Sequence, residues 1–171
     1  MLQLKNVTKV YDSAMSPVQA LRGISIEFRE SEFVSILGPS GCGKTTLLNS
    51  LLGSVPDYKR IYTIENGARE LSLIKRDVSG RIKNNVVHTL SRPSDKKESN
   101  ITQEDLVVTS LRFDPDIICI GEMRDSEASS AIEASSTDHT VVTTVHGDGG
   151  RRAHRRIAFL AQKAEAKNEV G

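Results

Sequence analysis

The sequence is poor in the residues that several classes of protein need. It has no tryptophan and only 4% aromatic residues, so few side chains could stack on single-stranded nucleic acid. Its two cysteines are too few for a disulfide framework. The formal net charge of +1 argues against a broadly basic surface. We therefore expect no nucleic-acid partner.

Long apolar runs are also missing. No stretch approaches the roughly 20 apolar residues that a helix needs to cross a bilayer. Residues 1–12 lack the apolar segment of a signal peptide. With 171 residues, 37% of them hydrophobic and 26% charged, the chain has the length and composition of one globular domain. These features predict a cytoplasmic protein.

Strand and helix patterns alternate along the chain. Apolar and polar residues alternate over 2–7 and 24–28, which predicts two half-buried strands. Further strands are predicted at 33–37, 60–64, 85–90, 116–120 and 141–145. Helices are predicted at 44–52, from Thr102 onward behind a capping box, at 126–136 and at 151–167. This order predicts an α/β fold with a mainly parallel sheet flanked by helices.

Residues 38–45 form a phosphate-binding motif. They read Gly-Pro-Ser-Gly-Cys-Gly-Lys-Thr and match G-x-x-x-x-G-K-[ST] in full, between a predicted strand and a predicted helix. The glycines let backbone N–H groups turn toward phosphate oxygens, Lys44 would reach the β and γ phosphates, and the Thr45 hydroxyl would bind Mg²⁺. We therefore expect ATP and Mg²⁺ as ligands, with ATP held by Gly38, Pro39, Ser40, Gly41, Cys42, Gly43, Lys44, Thr45 and Thr46.

The first part of the chain, residues 1–49, resembles the start of an ABC transporter ATP-binding subunit. The resemblance runs from L-Q-L-K-N-V-T-K-V-Y-D to the phosphate loop. In that family an aromatic residue at the place of Tyr11 stacks on adenine, and the alternative is that Tyr11 packs at a strand end. The later L-S-G-G-Q signature, which completes the ATP site of an ABC dimer, is missing.

The second part, from about residue 53 to 163, resembles the hexameric ATPases of type II and type IV secretion and of type IV pilus assembly. Three segments carry the resemblance: R-I-Y-T-I-E-N at 60–66, R-F-D-P-D-I-I-C-I-G-E-M-R-D at 112–125, and Asp138-His139 with T-T-V-H-G at 143–147. They are similar to the acidic box, the L-R-x-x-P-D-x-I-x-x-G-E-x-R segment and the histidine box of that family. Asn66 stands where the family usually has aspartate.

Several polar residues end or follow the predicted strands, where a parallel sheet presents side chains to a nucleotide. Glu122 would orient the attacking water and hold Mg²⁺ through water, and Glu65 would share that role. His146 would sense the γ-phosphate or couple the site to a neighbouring subunit; a structural role is the equal alternative. The candidates to offset phosphate charge are Arg124, Arg60, Arg92 and Arg112.

These resemblances imply one RecA-like P-loop ATPase domain over residues 1–171, with an ABC-like front (1–49) and a secretion-type rear (50–171). The implied activity is Mg²⁺-dependent ATP hydrolysis that drives secretion or pilus assembly. The resemblance also implies a homo-oligomer, a hexamer in the family, attached to a membrane-embedded complex at the inner face of the membrane. We expect turnover to be impaired, because the ring-forming parts are replaced or short. The alternatives are an ABC ATP-binding subunit and a nucleotide-binding domain with negligible turnover.

Overall fold

The computed structural model describes residues 2–12, 16–124, 127–147, 155, 157–159 and 162. The strands are β1 (Leu2–Tyr11), β2 (Val18–Phe28), β3 (Phe33–Gly38), β4 (Arg60–Asn66), β5 (Asn85–Ser91), β6 (Ile117–Ile120) and β7 (Thr140–His146). The helices are α1 (Lys44–Gly53), α2 (Gln103–Ser110) and α3 (Glu127–Ser136). None of these helices has the length and apolar character needed to span a bilayer.

Five of the strands form one parallel sheet. Their order is β3-β7-β6-β4-β5, and each neighbouring pair is parallel. Strands β1 and β2 form a separate antiparallel hairpin. Because the large sheet is parallel, the carboxyl ends of β3, β4, β6 and β7 lie at one edge. Polar residues at those ends are therefore brought together, although they are far apart in the sequence.

Side chains of the sheet alternate between two hydrophobic clusters, one on each face. On one face, α1 packs on the sheet together with the front hairpin, through Leu4, Phe28, Leu48, Leu51, Leu52, Ile61, Cys119 and Val142. On the other face α2 and α3 pack through Val107, Ala128, Ala131 and Ala134 against Tyr62, Ile64, Ile118, Ile120, Val141 and Val145. The small alanines let α3 lie close to the sheet. Both faces are thus covered, as near-continuous apolar strands require.

The predicted α/β fold with a mainly parallel sheet is confirmed. The front strands are longer than predicted, because β1 and β2 continue pairing up to Tyr11 and Val18. Register shifts near Leu4, Val7 and Lys9 break the alternation of apolar and polar residues, so the pattern shows only part of each strand. Most of the helix predicted at 151–167 lies outside the described residues; its described residues, 155, 157–159 and 162, are helical.

Helix α2 begins with the predicted capping box. The Thr102 hydroxyl accepts a hydrogen bond from the Asp105 backbone N–H at 3.1 Å, and the Asp105 carboxylate accepts one from the Thr102 N–H at 2.9 Å. The same carboxylate accepts a hydrogen bond from the Thr102 hydroxyl, and these bonds lower the pKa of Asp105. The cap fixes the start of α2 at Gln103, whose side chain donates to the Glu122 carbonyl.

We expect Thr102→Ala to lower the free energy of unfolding by about 1 kcal/mol at neutral pH, the usual cost of losing an N-cap side chain. Because the pKa of Asp105 is lower in the folded state, its contribution is fully present above the unfolded pKa of about 4 and is lost as pH falls through the folded pKa. Protonation of Asp105 weakens the bond that its carboxylate accepts from the Thr102 hydroxyl, whereas the bond from the Asp105 N–H to that hydroxyl does not depend on pH. The difference between wild type and variant should therefore become smaller in acid without vanishing. Urea unfolding at neutral pH and at a pH well below the unfolded pKa of Asp105 measures this. Thr109→Ala, an exposed change within the same helix, is the control, and an equal loss there would contradict the assignment to the cap.

Candidate functional site

A cleft of about 500 Å³ opens at the carboxyl edge of the parallel sheet. The phosphate loop, the ends of β4 and β7 and the residues after β6 form its walls. The lining residues are Ser40, Gly41, Gly43, Lys44, Thr45, Thr46, Glu65, Asn66, Ala68, Glu70, Gly121, Glu122, Arg124, Thr144 and His146. The parallel register therefore brings the phosphate loop together with the predicted residues of all three rear segments.

The phosphate loop has the conformation that its glycines predict. Gly41 and Gly43 have φ of +77° and +88°, in the left-handed region that favours glycine. Helix α1 starts directly after Gly43 without a side-chain cap and without an acidic residue in its first turn. The Lys44 ammonium donates to the carbonyls of Gly38 at 2.7 Å and Pro39 at 2.8 Å. The mouth of the loop thus combines backbone donors, a helix N-terminus and a cation, which together suit an anion.

Tyr11 lies beside this loop but does not line the cleft. Its hydroxyl donates to the Thr46 hydroxyl oxygen at 3.2 Å, and Thr46 is a lining residue. Tyr11 as a whole residue is 47% exposed, and the Lys9 ammonium lies 5.3 Å from the centroid of its ring. The front hairpin therefore places an aromatic ring next to the first turn of α1, with part of the ring open to solvent.

Glu65 holds the most constrained carboxylate of the cleft. It is 3% exposed, and its Oε1 accepts hydrogen bonds from the backbone N–H groups of Glu70 at 2.7 Å and Leu71 at 2.9 Å. Its Oε2 is buried and has no hydrogen-bond partner among the residues that the structure describes. A Cβ at Gly121 would lie 3.3 Å from Glu65 Cγ, so the missing side chain at Gly121 leaves room for this carboxylate. One oxygen of Glu65 is therefore anchored by two backbone N–H groups, and the other is not.

Glu70 is a site residue that the sequence analysis missed. Its carboxylate accepts a hydrogen bond from the Thr45 hydroxyl at 3.3 Å. Asn49 of α1 donates to the Glu70 carbonyl at 3.4 Å and accepts from the Ser72 N–H at 2.9 Å, which holds the segment over the helix. Glu70 lies in a loop and not at a strand end, so the strand-end argument could not find it. The sequence signal that could have indicated Glu70 was its position five residues after Glu65, shortly after the segment at 60–66 that is similar to the acidic box.

Glu122 and Arg124 form an ion pair at the rim of the cleft. Their side chains are 33% and 59% exposed, and the hydrogen bond with Glu122 raises the pKa of Arg124. The backbone of this segment is held from below: Gln103 of α2 donates to the Glu122 carbonyl at 3.3 Å, and the Arg124 N–H donates to Glu127 Oε1 at 2.5 Å. The sequence analysis also missed Gln103, because a capping box predicts where a helix begins but not that its first residue contacts the segment after β6.

Strand β7 supports the same segment from the other side. The Thr144 hydroxyl donates to the Gly121 carbonyl at 2.7 Å, and the Met123 N–H donates to the Thr144 carbonyl at 2.9 Å. His146, the last residue of β7, is exposed and lines the cleft. The Glu122 segment is therefore fixed by neighbours on both sides, and His146 faces the same space.

Some predicted residues lie outside the cleft lining. Gly38 and Pro39 contribute the carbonyls that hold Lys44, whereas Cys42 is exposed and does not line the cleft. Arg60 does not reach this cleft, because it begins β4 and so lies at the opposite edge, where it donates to the Phe113 carbonyl. Arg92 donates to the Ser99 carbonyl at 3.3 Å, and Arg112 is likewise absent from the lining. Of the four arginine candidates, Arg124 lines the cleft.

The residues present fit a magnesium nucleotide. The cleft offers oxygen donors from Thr45, Glu70 and Glu65, the type of ligand that Mg²⁺ prefers, and cations from Lys44 and Arg124 for phosphate. Within the described residues, no group of three or more His, Cys, Asp or Glu side chains is placed to hold a metal by itself.

Known proteins similar to this chain are of two kinds. The competence protein ComGA of Streptococcus pneumoniae is 30% identical over 148 residues, 86% of this chain and 42% of that protein. An ABC transporter ATP-binding protein of Methanocaldococcus jannaschii is 40% identical over 88 residues, 48% of this chain and 39% of that protein. The solved VirB11 ATPase of the Brucella suis type IV secretion system has the same fold, with a TM-score of 0.64 and 24% identity over 81% of this chain and 38% of that one.

Both predicted resemblances are confirmed by these relatives, and the chain spans less than half the length of each. The secretion-type resemblance extends further toward the N-terminus than residue 53. A sequence profile described as Type II/IV secretion system protein matches residues 6–168, almost the whole chain. The chain therefore belongs to the Type II/IV secretion system protein family.

Proposed function

We propose that this chain binds ATP and hydrolyses it with Mg²⁺, as the motor part of a type II or type IV secretion or pilus-assembly machine. The observation that carries the proposal is the convergence, in one cleft, of the phosphate loop with the unpartnered oxygen of Glu65 and the Glu122–Arg124 pair. A phosphate loop alone supports binding. Two carboxylates beside it supply the groups that hydrolysis needs.

The loop side of the cleft would hold the nucleotide. Backbone N–H groups around Gly41 and Gly43 and the Lys44 ammonium compensate phosphate charge. The Thr45 hydroxyl and the Glu70 carboxylate, already in hydrogen-bond contact, would hold the metal ion. When bound, Mg²⁺ neutralises charge that develops on the phosphate oxygens. The exposed ring of Tyr11 would stack on the adenine.

The opposite side of the cleft would orient the attacking water. The Glu122 carboxylate is our candidate for accepting its proton, and the buried Glu65 Oε2 would accept a second hydrogen bond from the same water. Glu65 is held rigidly by two backbone N–H groups, which suits an orienting role. Arg124 and His146, both at the rim, would contact the terminal phosphate oxygens.

Assembly is part of the proposal. Glu122, Arg124 and His146 lie at an open rim, so a neighbouring copy could contribute to the site. We propose a homo-oligomer that works on a membrane-embedded complex. An ABC-type dimer is the weaker alternative, because the L-S-G-G-Q signature that would complete its site is absent from the sequence.

Replacing the proposed base should separate hydrolysis from binding. We expect Glu122→Gln to reduce Mg²⁺-dependent ATP hydrolysis at least about a hundredfold, the size expected of a positioned base. Fluorescent-nucleotide titration should show ATP binding retained. The wild-type rate per molecule should rise with protein concentration, because the site opens toward a neighbouring copy. Glu133→Gln, an exposed change on α3, should leave the rate unchanged. A near-zero wild-type rate at every concentration would leave a nucleotide-binding domain without turnover.

The two oxygens of Glu65 should have separable effects. Glu65→Gln keeps an oxygen that accepts from Glu70 and Leu71, so its thermal stability should stay close to that of the wild type while hydrolysis falls at least about tenfold. Glu65→Ala removes the acceptor of two backbone N–H groups and should lower the free energy of unfolding by about 2 kcal/mol or more. Calorimetry beside a rate assay measures both. Full activity of Glu65→Gln would remove Glu65 from the mechanism.

Tyr11 variants can distinguish stacking from the hydroxyl contact. Tyr11→Phe removes the hydrogen bond to Thr46 but keeps the ring, so its affinity for ATP should stay close to that of the wild type. Tyr11→Ala should weaken binding of ATP by about tenfold, the size expected for loss of one stacked base. Inorganic triphosphate, which has no base, should bind all three proteins equally. Equal loss in both variants would mean that the hydroxyl contact, not the ring, is what matters.

A further inference from the structure

Residues 75–83, between β4 and β5, form a tight basic hairpin. Backbone hydrogen bonds join its two sides, from the Lys83 N–H to the Lys75 carbonyl at 2.9 Å and from the Asp77 N–H to the Arg81 carbonyl at 2.9 Å. Its base is fixed to the body of the protein, because the Lys75 ammonium donates to the Asp57 carboxylate at 2.8 Å and to the Val55 carbonyl at 3.1 Å. The hairpin is therefore an ordered projection with an anchored base.

The acidic residue of this hairpin is used inside the turn. Asp77 Oδ1 accepts hydrogen bonds from the Ser79 N–H at 2.8 Å, the Ser79 hydroxyl at 2.7 Å and the Arg81 N–H at 2.9 Å. These bonds, led by the one from the Ser79 hydroxyl, lower the pKa of Asp77. The exposed charges that remain on the basic hairpin are those of Arg76 and Arg81, because the exposed Lys83 pairs with Asp57 at 3.7 Å.

Apolar side chains accompany these cations. Val78, at the apex of the turn, is fully exposed, and Ile82 is 58% exposed. Ile74, just before the hairpin, and Tyr58, next to the Asp57 anchor, are also exposed. Four exposed apolar side chains therefore lie on or next to the cationic hairpin, and exposed apolar surface of this kind is a feature of contact surfaces.

We propose that the basic hairpin docks on an anionic lipid surface, with Val78 entering the interface and Arg76 and Arg81 at the level of the headgroups. The shape favours a membrane over a protein pocket: the apolar residue is the apex of a projection, and cations flank it on both sides in the sequence. That is the arrangement of peripheral elements whose apolar face enters the acyl boundary while arginine and lysine bind anionic headgroups.

The position of the basic hairpin separates docking from nucleotide chemistry. The hairpin leads into Asn85, the first residue of β5, and is fixed to Asp57, which precedes β4. It therefore lies at the amino edge of the parallel sheet, whereas the cleft lies at the carboxyl edge. The inference does not rest on the proposed hydrolysis, and a docked molecule would keep its cleft open.

Vesicle co-sedimentation of the full chain tests the proposal. We expect binding to phosphatidylglycerol vesicles, little binding to phosphatidylcholine vesicles, and weakening as salt is raised. Arg76→Glu/Arg81→Glu should weaken binding at least about thirtyfold, from about tenfold per 1.4 kcal/mol and about 1 kcal/mol for each cation lost, and the two added carboxylates should weaken it further. Lys5→Glu/Lys96→Glu, two exposed residues elsewhere with the same change in net charge, should bind like the wild type.

Val78→Asp tests the apolar apex, and Val108→Asp on the exposed side of α2 is its control. We expect Val78→Asp to lose vesicle binding, with unchanged thermal stability, and Val108→Asp to keep it. Equal binding of hairpin and control variants, or equal binding to both kinds of vesicle, would overturn the proposal. It would also be overturned if Val78→Asp abolished concentration-dependent self-association in light scattering but left vesicle binding intact, since the surface would then contact a second copy.

Discussion

The cleft depends on one buried carboxylate oxygen. Glu65 Oε1 accepts the N–H groups of Glu70 and Leu71, and these two bonds turn the chain back over the end of β4. The turn places the Glu70 carboxylate on the Thr45 hydroxyl and lets Asn49 bind the backbone on both sides of Leu71. Residues 65–72 are therefore joined by hydrogen bonds to Thr45 at the end of the phosphate loop and to helix α1. A carboxylate is suited to this anchor because one of its oxygens can accept two donors while the other stays free.

The segment around Glu122 is also held in place by hydrogen bonds to its neighbours. Its backbone, and not its carboxylate, carries the supporting bonds: Thr144 binds at Gly121, Gln103 binds the Glu122 carbonyl, and Met123 pairs with β7. The Glu122 side chain is left to pair with Arg124 at the rim. Support through the backbone fixes the position of a side chain without using its charge, which is what the proposed role of Glu122 requires.

Much of this arrangement could be predicted from the sequence, because strand ends follow from apolar patterns. An apolar strand predicted to end at Ile64, Ile120 or Val145 delivers the polar residue that follows it to the carboxyl edge once the sheet is parallel. The prediction for Arg60 was wrong for this cleft because it ignored the direction of the strand. Arg60 begins β4 and Glu65 lies near its end, so the two residues lie at opposite edges of the sheet. The contact of Glu70 with Thr45 depends on how the loop after β4 folds back, and the contact of Gln103 with Glu122 depends on where α2 packs. Neither can be predicted from a local sequence pattern.

The ABC-like front and the secretion-type rear of the chain share one hydrophobic core, so they fold as one structure. Leu4 and Phe28 of the ABC-like front lie in the same cluster as Leu48 of α1, and so do Ile61 and Val142 of the secretion-type rear. Helix α1 shares this cluster with both the hairpin and the sheet, so the phosphate loop at its start is positioned by both. Tyr11, hydrogen-bonded to Thr46 at 3.2 Å, extends that coupling to a residue that lines the cleft. In the proposed binding mode the nucleotide contacts the front through its base and the rear through its terminal phosphate, and both contacts depend on the phosphate loop.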